Sequence, residues 1–171
     1  MKRKIVIIGM DNTGKTTLVN DMKKLLKVDS IKSSGPGFTR EQMYEEVTKN
    51  LMREGLVILE RFPIVEELVY GKTLRDNPKF SFRDLIQIKD TYHPLFIYCR
   101  PRKKDVFNFG EREQMTGVIE KSEKLLEAFD NLYNQMIQED FDIIRYDYNL
   151  STPNEMVLKY KRSDKYEYYT R

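Results

Sequence analysis

The run Gly9-Met10-Asp11-Asn12-Thr13-Gly14-Lys15-Thr16 sets two glycines, a lysine and a hydroxyl at the spacing G-x-x-x-x-G-K-[ST]. Residue types in that order suit a polyphosphate. Glycines let the backbone curl until successive N–H groups face phosphate oxygens, and a helix starting near Lys15 adds the positive end of its dipole. Lys15 then reaches the β- and γ-phosphates, and the Thr16 hydroxyl is placed to ligate Mg2+. Gly9, Asp11, Asn12, Thr13, Gly14, Lys15, Thr16 and Thr17 are therefore the expected ATP-binding residues. A second pair, Glu60-Arg61, closes the apolar run Leu56-Val57-Ile58-Leu59. Glu60 can take a proton from an acceptor hydroxyl or hold magnesium, and Arg61 can grip an anionic group with its planar fork. Lys15, Glu60 and Arg61 are the expected catalytic residues, with Thr16 and Glu60 the expected metal ligands. Base and magnesium anchor stay open as alternatives for Glu60.

These residues need a frame that brings two distant segments together. Ile5-Val6-Ile7-Ile8 is a continuous β-branched run ended by Gly9, the pattern of a strand buried on both faces of a parallel sheet. Residues 56–59, 94–98 and 141–144 read alike, and 27–31 supplies a weaker fifth strand. Between them, apolar residues recur at three- and four-residue spacing over 15–26, 40–53, 82–92, 116–138 and 153–163, which predicts helices. Strands that alternate with helices predict an α/β fold of three layers, α/β/α, with a roughly five-stranded parallel sheet. Ligands of such sheets gather beyond the strands' carboxyl ends, where both chemistry-bearing segments fall. Val118, Leu125, Phe129 and Leu132 belong to the core by their spacing.

A length of 171 residues with 40% hydrophobic content suits one domain, 1–171, with a single core. Thirty basic and twenty-seven acidic residues nearly cancel to a formal +3, so charge alone selects no partner. One cysteine, Cys99, excludes an internal disulfide and fits a reducing cytoplasm, where it is expected as a small buried hydrophobe. The basic Met1-Lys2-Arg3-Lys4 precedes an apolar run that Asp11 and Lys15 interrupt too soon for a signal peptide or membrane span. His93 precedes a strand at the end away from the expected site and reads as structural. The basic and aromatic residues of 160–171 suggest a flexible tail.

The phosphate loop with an internal acid, Asp11, followed after a strand by Glu60-Arg61-Phe62, resembles the thymidylate kinase and deoxynucleoside kinase group of P-loop kinases. The wider run Glu60-Arg61-Phe62-Pro63-Ile64-Val65-Glu66-Glu67-Leu68-Val69-Tyr70-Gly71 is most similar to small phage-encoded kinases, some of which phosphorylate 5-hydroxymethyluridine within DNA. The resemblance spans about residues 4 to 150. It implies a P-loop NTPase fold, transfer of the γ-phosphoryl group of ATP to a nucleoside or nucleotide, DNA as an alternative substrate, and a homodimer in some relatives. Ser33-Ser34-Gly35-Pro36-Gly37-Phe38 stands where thymidylate kinases hold the acceptor, so Gly35, Pro36, Phe38, Arg61, Phe62 and Tyr70 are the implied acceptor-binding residues, with Phe38 or Phe62 stacking on a base. The segment 100–117 resembles the closing lid of nucleotide kinases, with Arg112 its catalytic arginine and Arg100 and Arg102 as alternates. Two departures are Ile8, where thymidylate kinases place a glutamate, and Glu60 for their aspartate, a change that favours a hydroxyl acceptor. The rival from another class is a nucleotide-driven switch or assembly ATPase, which would want a strand-end acid holding magnesium through water and an orienting Gln or Glu.

Overall fold

The computed structural model describes residues 2–33, 37–108 and 116–167. Its centre is β1 (Ile5–Ile8), whose four side chains are all buried. Only strand pairing on both edges satisfies the backbone of so apolar a run, and β1 pairs with β3 (Val57–Glu60) and β4 (Leu95–Cys99). With β2 (Asp29–Lys32) and β5 (Ile143–Tyr146) outside them, the sheet runs β2-β3-β1-β4-β5, with every pair parallel.

Alternate strand residues face opposite layers. Val6, Ile8, Leu59, Phe96 and Tyr98 pack with residues of α2 (Arg40–Leu51), α5 (Phe82–Tyr92) and α7 (Ser122–Gln138). Ile5, Ile7, Ile58, Ile97 and Cys99 pack with Leu18, Val19 and Met22 of α1 (Lys15–Leu26) and with Met156, Val157 and Tyr160 of α8 (Pro153–Glu167). Three layers result, as the alternation of elements predicts.

The boundaries differ from the sequence reading where burial and pairing part company. The apolar run at 141–144 begins with Phe141, which is buried in the core ahead of the ladder, so β5 starts two residues later. A similar shift makes Glu60 the last residue of β3 rather than the first of a loop. The expected helix over 116–138 starts only at Ser122, after a turn that includes Gly117 at φ 84°. At the other end, α8 continues to Glu167, and Tyr160 is buried with its hydroxyl donating to the Arg3 carbonyl. A tail beginning at 160 is thereby corrected.

Residues 63–75, which the periodicity left unassigned, are helical in three pieces. Pro63 opens α3 (Pro63–Glu66), at the position where its missing N–H costs nothing. A π-helical turn over Glu67–Gly71 follows, then α4 (Lys72–Arg75). The π turn is pinned from outside. Glu67 is buried and accepts from Arg75 Nη2 at 2.5 Å and from the Lys79 amide at 3.1 Å.

Candidate active site

Chain geometry immediately after β1 dictates the phosphate loop. Gly9 has φ 144°, and a Cβ there would sit 2.6 Å from the Cys99 carbonyl oxygen. Substituting alanine therefore forces backbone to move in the middle of the sheet. Gly9→Ala is expected to cost about 2 kcal/mol or more in chemical denaturation and to weaken nucleotide binding measured alongside. Thr13 closes the turn from within, its hydroxyl donating to the Met10 carbonyl at 2.7 Å. Gly14, at φ 82°, is the N-cap of α1, and no side chain caps that terminus. The first amides of α1 are thus left to an anion, as a phosphate cradle requires.

Lys15 is 6% exposed, and its Nζ donates to the Met10 carbonyl at 2.5 Å and lies 3.8 Å from Asp11 Oδ1. Burial lowers its pKa, while the negative charges of Asp11 and Glu66 pull it back up. Asn12 adopts φ 65° and donates through Nδ2 to the carbonyls of Asp105, Val106 and Asn108 at 3.2, 3.0 and 2.7 Å. It thereby caps the carboxyl end of the short helix α6 (Lys103–Val106) and ties the phosphate loop to the segment that leads into the implied lid.

Because β3 lies beside β1, Glu60 pairs with Ile7 and ends level with the phosphate loop. Glu60 is 7% exposed, and its Oε1 accepts from Thr16 Oγ1 at 2.5 Å. Arg61 extends the pairing, its amide donating to the Ile7 carbonyl at 3.2 Å, and then turns to φ 65°. That left-handed conformation costs a non-glycine residue roughly 1 kcal/mol or more and swings the guanidinium to within 3.2 Å of Asp11 Oδ1. A cavity of about 130 Å³ opens here, lined by Asp11, Asn12, Gly14, Lys15, Thr16, Thr17, Lys32, Glu60 and Arg61. Most of the expected nucleotide residues therefore meet Glu60 and Arg61 in one place, with Gly9 and Thr13 shaping the loop from behind. Thr16 and Glu60 offer two hard oxygen donors at one point, which fits Mg2+ shared with nucleotide phosphates. A larger cleft, of about 1060 Å³, lies between α7 and the stretch from α4 to α5. It shares no lining residue with the phosphate cavity, so size alone does not mark the chemistry.

The implied acceptor residues are sorted by the core. Phe62 is 0% exposed and stands edge-on to Phe96 with ring centroids 5.8 Å apart, so it cannot stack on a ligand. Tyr70 is buried against Phe129, and its hydroxyl accepts from the Asp11 amide at 3.1 Å. It braces the phosphate loop instead of meeting an acceptor directly. Phe38 is 43% exposed, with its carbonyl accepting from Lys79 Nζ at 2.6 Å. Gly35, Pro36 and Arg112 lie outside the described residues. Of the alternates for the lid, Arg100 is committed elsewhere: it grips Asp130 with two bonds of 2.8 Å, and Tyr98 donates to the same carboxylate. Arg102 donates to Asp105 and Asn149, both at 3.0 Å.

Three residues escaped the sequence reading. Lys32 ends β2, and the rule that ligands gather at strand carboxyl ends could have found it. Tyr148, beyond β5, lays its ring against Gly14, with Cδ1 3.1 Å from where a Cβ would stand. Glu66, on α3, carries a buried Oε1 with no hydrogen-bond partner among the described residues, although the residue as a whole is only half-buried. Desolvation raises its pKa from 4.5 to about 7, against the opposing pull of Lys15 and Arg61. A carboxyl that holds its proton longer in the fold than in the unfolded chain loses stability as pH climbs from 4.5 to about 7, with no further loss above that. Denaturation at pH 5 and pH 8 should therefore show Glu66→Gln gaining on the parent at the higher pH, by at most roughly 3 kcal/mol.

Comparisons with known proteins agree on the fold. The structure of the YorR protein of Bacillus subtilis, solved in complex with phosphorylated GDP, superposes with TM-score 0.76 at 20% identity, covering 98% of this chain and 99% of that one. Deoxyadenosine kinase from M. mycoides gives TM-score 0.62 at 20% identity, covering 94% and 98%. Thymidylate kinase from Candida albicans gives 0.58 at 14% identity, covering 97% and 92%. No curated protein sequence matches the chain. Five parallel strands with the phosphate loop after β1 make this a P-loop NTPase fold, with nucleoside and nucleotide kinases among its structural neighbours. The family model described as 50S ribosome-binding GTPase matches residues 4–159, nearly the whole chain, and this protein belongs to that family.

Proposed function

We propose that this protein is a phosphotransferase that uses ATP and Mg2+ to phosphorylate a nucleoside or nucleotide, in the manner of thymidylate kinases. The observation that carries this reading is the meeting of Glu60 and Arg61 with the phosphate loop, above all Thr16 Oγ1 donating to Glu60 at 2.5 Å and Arg61 turned back over Asp11. A hydrolytic switch needs one acid to hold magnesium and a group to orient water. An arginine strained into the left-handed region beside that acid is better suited to holding a second substrate or the transferring group.

Lys15 and the uncapped amides of α1 would bind the phosphates and stabilise charge as the γ-phosphoryl group moves. Mg2+, held by Thr16, by Glu60 and by the nucleotide itself, would neutralise charge on the β- and γ-oxygens. With a hydroxyl acceptor, Glu60 is the group placed to receive its proton. The structures of deoxyadenosine and thymidylate kinases share the fold and lend this reading support. Requiring ATP, the reaction belongs in the cytoplasm; among the described residues no helix is long and apolar enough to cross a membrane.

A second reading, a nucleotide-driven switch, draws on the GTPase description of the matching family. Both are tested by incubating the protein and Mg2+ with γ-labelled ATP or GTP, in parallel with deoxynucleosides, their monophosphates, and DNA with or without 5-hydroxymethyluracil. Label on an acceptor is the expected result. Free phosphate alone, formed slowly in every tube and faster with GTP, would replace the transferase with the switch.

A further inference from the structure

The near balance of charge in the chain hides how unevenly its cations are used. Many sit against an acid: Arg3 with Asp142, Arg40 with Asp84, Arg75 with Glu67, Arg100 with Asp130 and Lys103 with Glu123. Others, such as Lys49, Arg83 and Lys124, stand singly on three different helices. The end of α1 and the second half of α8 break that habit. Lys23, Lys24 and Lys27 close α1, Lys159, Lys161 and Arg162 follow on α8, and none of the six makes an ion pair with another described residue. Five are exposed, and Lys23 is half-buried. The fold gathers them at one end of one layer. Met156, Val157 and Tyr160 of α8 share a core with Leu18, Val19 and Met22 of α1, and the Tyr160 hydroxyl donates to the Arg3 carbonyl just ahead of β1. The Val28 amide donates to the Lys23 carbonyl just ahead of β2. Both groups of cations therefore stand at the amino ends of the strands, about 18 Å along the twelve-residue α1 from the phosphate loop. Among the described side chains, the acids of these helices are engaged elsewhere: Asp21 is half-buried and acts on Tyr146, and Glu155 lies in the first turn of α8. Asp29, which opens β2 at the same end, offsets one charge. Lys23 and Lys24 suit the negative end of the α1 dipole, but α8 continues five residues past Arg162, so that role covers none of its three cations.

We propose that this end of the α1 and α8 layer is a docking surface for the phosphate backbone of duplex DNA, bound without regard to sequence. Cations with no internal ion pair to break meet a polyanion readily, and each one seated on a phosphate releases a counterion from the duplex. The remaining side chains choose among polyanions. From Lys23 to Lys27 and from Leu158 to Arg162 there is no Ser, Thr, Asn or Gln to meet a ribose 2′-hydroxyl. The one aromatic of these stretches, Tyr160, is buried, so none stacks on an unpaired base. Leu25 and Leu158 are their exposed apolar side chains, too little to anchor a bilayer. What is left is charge alone, which positions a protein on a duplex and reads no sequence. The surface shares no residue with the phosphate cavity, so docking stands or falls independently of the proposed phosphoryl transfer.

The test titrates the full chain into a labelled DNA duplex of mixed sequence at several salt concentrations, read by fluorescence anisotropy. The parent is expected to bind with a micromolar Kd near about 0.1 M salt and to release about four counterions. A triple variant, Lys24→Glu with Lys161→Glu and Arg162→Glu, should weaken binding about thirtyfold or more and remove about three of those counterions. A control variant, Lys49→Glu with Arg83→Glu and Lys124→Glu, makes the same change in net charge on the other helical layer and should bind within about threefold of the parent. ATP affinity, titrated separately, should stay within about threefold in both, which reports an intact fold. Glutamate near helix carboxyl ends opposes the dipole, so the same three positions changed to Gln supply the comparison if the first variant folds poorly, with a smaller loss expected in the same direction. Equal losses in the two triple variants overturn the inference, because net charge would then account for the binding. Absence of binding by the parent near about 0.1 M salt overturns it as well. So does tighter binding to an RNA duplex, to a single strand of the same sequence or to phosphatidylserine vesicles, if the α1 and α8 variant loses it, since the surface would then belong to that partner.

Discussion

Lys15→Ala is expected to abolish useful turnover, lowering kcat/KM for phosphoryl transfer by about a thousandfold or more, with nucleotide affinity falling in the same variant. The size of the effect follows from where the ammonium sits. It is buried at the floor of the loop, held by a carbonyl and one acid, and among the described residues no other cation in the cavity is placed to substitute for it: Arg61 is turned to Asp11, and Lys32 enters from the end of the edge strand β2. Removing it also leaves the Met10 carbonyl with the Thr13 hydroxyl but without its charged donor, and leaves Asp11 and Glu66 facing less positive charge. Steady-state kinetics and a direct nucleotide titration measure the two losses separately. A variant that binds nucleotide normally and turns over within tenfold of the parent would show that Lys15 is not the phosphate-bridging cation.

Glu60→Gln should lower kcat by about a hundredfold or more if the acceptor is a hydroxyl, because the amide cannot take the proton. The amide oxygen can still accept from Thr16, so the loop is expected to keep its shape and nucleotide affinity should change little. Magnesium dependence separates the two roles open to this residue. A base leaves the metal concentration for half-maximal rate unchanged while kcat falls; an anchor raises that concentration, and excess metal restores rate. Full activity in Glu60→Gln at ordinary magnesium would remove the residue from the mechanism.

Much of this site was legible because its signals are local. The spacing from Gly9 to Thr16 is enforced by a tight backbone turn, in which Gly9 alone tolerates the approach of the Cys99 carbonyl. A strand signature directly before it located the loop at a sheet's carboxyl edge, and the same argument brought Glu60 and Arg61 alongside. Phe62 shows where the reasoning reached its limit. An aromatic next to Glu60-Arg61 resembles a stacking residue on paper, yet it occupies a buried position against Phe96, a residue 34 positions away in the chain. Arg100 is similar: as part of a basic run it suits a lid, but Asp130 on α7 accepts from its Nε and Nη2, and the Pro101 carbonyl takes its Nη1. No local pattern announces a partner on another element.

By itself, then, the sequence determined the alternation of strands and helices, the parallel sheet and the phosphate-binding character of the turn after β1, because each depends on periodicity or on backbone geometry within a few residues. Only the tertiary structure decided which side chains face the cavity. It set Thr16 against Glu60, spent Tyr70 on bracing the loop and left a Glu66 oxygen unmet, and those outcomes depend on strand order, on a π turn that shifts helical register, and on competition among buried polar groups for partners far apart in the chain.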